Sequence, residues 1–110
     1  MIKKTIAELE EKVRQLDSME HGNRAELLTL LASLKTEIEE LAKTCREEAE
    51  SILGFATVST HETMRQEKNP HLVKVSLEGL AASVKGFETS HPTLVGTVNR
   101  ICVMLSNIGI

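Results

Sequence analysis

Few side chains in this chain could carry chemistry: four His, two Cys and 16 carboxylates. His61-Glu62 opens as a zinc-protease helix does, where two His one turn apart hold the metal and the Glu serves as base. The position that must supply the second His is Arg65, so the spacing fails and His61 reads as a helix-surface residue. His21, His71 and His91 each border an expected helix boundary, where side chains hydrogen-bond to caps and turns. His91 also stands between Ser90 and Pro92, and an imidazole there would titrate near its ordinary pKa of about 6.5. Cys45 and Cys102 are widely separated and lack CxxC spacing, so they read as small core-facing side chains rather than metal or redox groups. Acid–base catalysis needs paired titratable groups in divergent environments. The Asp and Glu residues are instead interleaved with Lys and Arg on polar helix faces. A Gly-rich phosphate loop and a nucleophile motif are both missing. The residues therefore predict no catalytic group, no metal ligand set and no cofactor site, and a protein that is not an enzyme.

Composition narrows the classes further. The 110 residues suit one domain, taken as 1–110. Hydrophobic residues are 41% and charged residues 26%, but aromatics only 2%. Strands and many ligand pockets favour aromatics, so this balance points to helices packed by aliphatic side chains. The net charge of −3 has no basic stripe, and two Phe cannot provide the stacking platforms of RNA-binding modules, which excludes nucleic acid as the expected partner. No run approaches the roughly 18 apolar residues of a membrane span. The opening Lys3-Lys4 is followed by Glu8 rather than by an apolar run, unlike a signal peptide, so the expected location is cytoplasmic.

The elements that must position these residues are helices with a 4-3 apolar step. Ile2, Ile6, Leu9, Val13 and Leu16 form the first stripe, in a helix at about 3–18. Gly22 reads as a breaker, and Asn23 with Glu26 as a capping box for the next helix. Its stripe is Leu27, Leu31, Leu34, Ile38, Leu41 and Cys45, widened by Leu28 and Leu30. The step then changes, with Ala49, Ile52 and Ala56 making a stutter. With no Pro before Pro70, the pattern predicts one helix over about 23–67, weakest at Gly54. Such a helix would span about 65 Å, so it breaks or the molecule is elongated. Asn69-Pro70 starts a third helix (70–89) with the stripe Val73, Leu77, Leu80, Val84 and Phe87. Gly79 in its middle suggests a close helix contact. Pro92 forces the third helix to end by Ser90 and opens a fourth (92–107). The whole is an all-α, elongated helical bundle with coiled-coil-like packing and about four helices.

The ending Phe87-Glu88, Ser90-His91-Pro92-Thr93-Leu94 and Leu105-Ser106-Asn107-Ile108-Gly109-Ile110 resembles the bacterial proteins of domain of unknown function family 4404. The resemblance is specific over Phe87–Ile110 and generic over residues 1–45. It implies a small bacterial helical protein with an N-terminal hairpin, a linker and this ending. It brings no activity, substrate or site residue.

Two functions follow as expectations. The leading one is a self-associating structural or adaptor module, a homo-oligomer (dimer or tetramer) or a partner of another helical protein. Leu94, Val98, Ile101, Leu105 and Ile108 on the over-apolar last helix are its expected interface. Arg100 and Asn107 are polar partners within that interface or plain surface residues. Ser90, His91 and Pro92 are expected to form a rigid corner between the third and fourth helices. The alternative is a bundle binding a small apolar ligand or lipid in an inter-helix cavity lined by the Ile52–Val58 stretch, Met64, Cys102 and Met104.

Overall fold

Each 4-3 stripe becomes the buried side of a helix in the computed structural model, which describes residues 2–16 and 19–109. The elements are α1 (Ile2–Arg14), α2 (His21–Ala42), α3 (Arg46–Thr63), α4 (Pro70–Ser83) and α5 (Pro92–Gly109), with no strand among the described residues. Ile2, Ile6, Leu9 and Val13 of α1 are buried, as are Leu27, Leu31, Leu34, Ile38 and Leu41 of α2. One cluster of buried apolar residues runs through all five helices. The bundle is elongated, 38 × 25 × 22 Å, with a radius of gyration of 13.0 Å.

The long second helix of the sequence reading is two helices, and it divides at Lys43-Thr44-Cys45 rather than at Gly54. The Thr44 amide donates to the Leu41 carbonyl at 3.1 Å and the Cys45 amide to the same oxygen at 2.8 Å. Cys45 then leaves helical geometry, at φ −134° and ψ 67°. This is where the stutter begins. Two consecutive four-residue steps rotate the apolar stripe off the seam, and an unbroken helix would carry it away from the core. Turning at Cys45 lets Ala49, Ile52 and Ala56 fold back into the core, where all three are buried. Gly54 sits within α3 with open space where a side chain would stand, so it has no structural reason to break the helix. Five helices result where about four were expected.

The other boundaries shift for local reasons. α2 starts at His21, so Gly22 lies inside it and Asn23 is not its cap. Glu26 is turned instead toward Arg100 of α5, 3.7 Å away. Asn69 does cap α4, accepting from the His71 amide at 3.0 Å and the Leu72 amide at 3.3 Å, with Pro70 in the first turn. α4 ends at Ser83, short of the expected 89, because Gly86 takes φ +98°, a left-handed conformation that stops a helix. Phe87 still packs against the core from the turn that follows.

α3 packs on α1, α2, α4 and α5, whereas α4 touches only α3 and α5. α3 therefore occupies the stretch where the resemblance implied a linker, and the α3–α4 hairpin forms one flank of the molecule.

Candidate interaction surface

The register of the α3–α4 hairpin is set by one buried hydrogen bond. Ser59 Oγ donates to the Ser76 carbonyl at 3.0 Å, with both residues buried. Thr60 and Thr63, also buried, turn their hydroxyls back on their own helix, donating to the Ala56 carbonyl at 2.8 Å and the Ser59 carbonyl at 3.0 Å. The hydroxyls are thus satisfied inside the bundle, as burial requires.

Three residues further along α4, Gly79 lets the Phe55 side chain approach the α4 backbone. A Cβ placed there would fall 2.6 Å from Cδ1 of Phe55, so the Phe55 ring lies over the glycine. The ring is not enclosed: Phe55 is 42% exposed. Val58 (49%), Leu72 (39%) and Val75 (48%) are exposed as well. With Ser59 opposite Ser76 and Phe55 over Gly79, Val58 and Val75 lie level on the outer side of the seam, and Leu72 lies beyond them toward the Glu62 end. Four large apolar side chains thus form a strip along the hairpin. They expose on the order of 300 Å² of apolar surface, within the range of patches that mark interaction sites.

The expected interface on α5 lies elsewhere. Leu94, Val98 and Leu105 are fully buried, Ile101 nearly so, and Ile108 is half-buried against the same core. α5 packs on α2, α3 and α4, so its broad apolar surface is covered by the chain itself. Of the two polar candidates on α5, Arg100 pairs with Glu26 and Asn107 is exposed.

The Ser90-His91-Pro92 segment lies between α4 and α5. Ser90 Oγ is 3.0 Å from His91 Nδ1, and the His91 ring meets Phe87 edge-on at 5.7 Å. The His91 amide donates to the Phe87 carbonyl at 2.8 Å, and its own carbonyl accepts from Val95 at 3.2 Å, opening α5. His61 is exposed, 4.0 Å from Glu62, whose other oxygen is held by Arg65 at 2.9 Å. The Arg that broke the zinc spacing is therefore an ion-pair partner. His21 and His71 are exposed, and among the described residues no group of His, Cys, Asp or Glu is arranged to hold a metal.

The expected ligand-lining residues do not share one cavity. Ile52, Leu53 and Ala56 are core, whereas Phe55 and Val58 are outside. Cys102 lines an open groove of about 810 Å³ between α4 and α5, together with the apolar Val73, Leu77, Ala81 and Val103 and the charged Lys74 and Glu78. Met104 borders a separate groove against α2, and Met64 one at the end of the bundle. Burial in the α4–α5 contact pushes the Cys102 thiol pKa up, so it is a poor nucleophile.

The family comparison covers the flank just described. Residues 55–110, just over half of the chain, match the family described as Domain of unknown function (DUF4404). The chain belongs to this family. The DUF4404 segment opens at Phe55 and takes in the outer half of α3, all of α4 and all of α5, so it contains the whole exposed strip and the α4–α5 groove. It reaches well upstream of the Phe87–Ile110 ending that carried the resemblance. No curated protein and no solved structure gave a match. Among the described residues no helix is long and apolar enough to cross a membrane.

Sequence reading missed Phe55, Val58, Leu72 and Val75 as a surface. A faint signal existed, because Leu72 and Val75 lie off the Val73, Leu77, Leu80, Val84 stripe. Grouping them with Phe55 and Val58 needs the hairpin register.

Proposed function

We propose that this DUF4404 protein is a non-catalytic structural or adaptor module that works by self-association, as a dimer or tetramer, through the outer face of the α3–α4 hairpin. One observation carries this reading: Phe55, Val58, Leu72 and Val75 stand exposed together, on a flank that α1, α2 and α5 leave uncovered. Leaving such side chains in water forgoes about 1.5–3 kcal/mol each, a loss that docking on a second surface would recover in part. The free thiols of Cys45 and Cys102 fit a reducing bacterial cytoplasm. Sedimentation equilibrium between 1 and 100 µM tests the proposal. Mass rising with concentration, and reverting to the monomer in Val58→Glu, supports it. A wild-type protein that stays monomeric at 100 µM overturns it.

The α4–α5 groove favours a second reading, the binding of a small apolar ligand or lipid chain. Its volume of about 810 Å³ lies within the range of small-molecule sites. Calorimetric titration with a twelve-carbon fatty acid should show saturable binding that Val103→Asp removes. Equal heats in both proteins count against it.

A further inference from the structure

The groove between α4 and α5 opens on a different side of α4 from the Phe55–Leu72 strip. Lys74, Leu77, Glu78 and Ala81 line it, whereas Leu72 and Val75 do not. α5 borders it with Cys102, Val103 and Ser106. Val103 is 63% exposed, more than any residue of the strip. Lys74 and Glu78 are exposed, and among the described residues neither side chain makes an ion pair or hydrogen bond.

Two repeats of this face share one centre. On α4 the opposite charges Lys74 and Glu78 stand one turn apart about position 76. On α5 the exposed Asn99, Val103 and Asn107 follow one another at four-residue steps, an amide on either side of Val103. Cys102 Sγ lies 3.9 Å from the Leu77 carbonyl, and Val73 packs beside Gly109. The helices therefore run antiparallel, and position 76 of α4 is level with Val103 of α5.

We infer that this face is a contact between copies, separate from the strip: two α4–α5 hairpins stack antiparallel about a two-fold axis at the Val103 level and close a four-helix bundle. The axis sets Val103 on Val103. It brings Lys74 of each copy over Glu78 of the other, twice, and Asn99 of each copy onto Asn107 of the other. An amide both donates and accepts, so the Asn pairs satisfy themselves. Parallel stacking would set Lys74 on Lys74 and Glu78 on Glu78, which costs affinity. Ala81 and Ser106 are small and let the facing helices approach to bundle distance. A two-fold contact of this kind is self-complementary. It fills the groove with protein, and so leaves no space there for a lipid chain.

Size sets the strength. α4 has 14 residues, so the face is about 21 Å long and about 20 Å across two packed helices. Two copies bury on the order of 1,000 Å², at the low end of specific interfaces, where encounters are weak. Dissociation on the order of hundreds of micromolar follows, above the range in which sedimentation reads the strip.

The experiment is disulfide trapping with glutathione disulfide as oxidant, at a protein concentration near that dissociation constant. Every variant carries Val58→Glu, which removes the strip contact, and Cys45→Ala with Cys102→Ala, which remove the native thiols. Circular dichroism checks the fold. A disulfide needs adjacent Cβ atoms, so Val103→Cys should trap a dimer about tenfold faster than Lys12→Cys, an exposed α1 position that reports random collision. Lys74→Glu or Glu78→Lys added to Val103→Cys should slow trapping about threefold, and the two together should restore it, because the signs are then exchanged. Trapping at the collision rate overturns the contact. A double reversal no faster than the single ones overturns the antiparallel arrangement. If dodecanoate binds while Val103→Cys traps at the collision rate, the groove is a ligand site and the inference falls. Sedimentation of the wild type tests the strip, so either contact can fall alone.

Discussion

Ile101→Ala separates a core residue from an interface residue on α5. Ile101 is 1% exposed within one chain, on a helix that packs against α2, α3 and α4. Truncation removes three carbons from a packed interior and leaves a cavity that fixed helices cannot fill, which costs about 3 kcal/mol. For a domain of this length that lowers the melting temperature by about 13 °C. The decisive property is how the loss depends on concentration. A core residue acts within one chain, so the loss in unfolding free energy should be equal at 1 and 100 µM. Urea denaturation followed by circular dichroism at both concentrations measures it. If the loss were near zero at 1 µM and grew to several kcal/mol at 100 µM, Ile101 would be buried by a second chain, and the placement of the α5 stripe in the core would be refuted.

Three other outcomes are expected. Gly79→Ala should displace the Phe55 ring, whose Cδ1 would lie 2.6 Å from the new Cβ. The exposed ring can swing outward, so monomer stability should change by less than about 1 kcal/mol while self-association weakens; chemical denaturation and sedimentation read the two separately. Gly86→Ala has open space but a φ of +98°, so it should cost about 1–2 kcal/mol of stability by backbone strain alone, measured by urea unfolding. The half-buried Cys102 thiol is held above its ordinary value of 9.0 by desolvation. The folded chain therefore binds this proton more tightly than the unfolded chain, and stability should fall as pH rises past 9.0. Cys102→Ala should remove that part of the slope in a pH series of thermal melts.

Much of the architecture was legible because helix burial is periodic. The stripes Ile2–Val13, Leu27–Leu41 and Val73–Val84 name residues that are buried in the fold, apart from half-buried Leu77, since one face of a helix must leave water. Asn69-Pro70 and Pro92 marked helix starts through backbone chemistry that acts over two or three residues. The stutter after Cys45 was visible too, but its consequence was not. A change of step can unwind a helix or end it, and the core that α3 folds back into made it an end.

The surface was less legible, because exposure depends on neighbours that are distant in sequence. The α5 stripe looked too apolar for one chain until α2, α3 and α4 were placed around it. Phe55 and Val58, expected within the lining of an inter-helix cavity, stand on the outside of the bundle once Ser59 bonds to Ser76.

The sequence by itself therefore determined the helical class, most helix starts and the buried stripes, because propensity, capping and amphipathic spacing are local properties. Only the tertiary structure decided that the long helix divides at Cys45, that the last helix belongs to the core, and that the α3–α4 hairpin is the exposed apolar flank. Those outcomes rest on which helices cover one another, and coverage is a property of the assembled bundle.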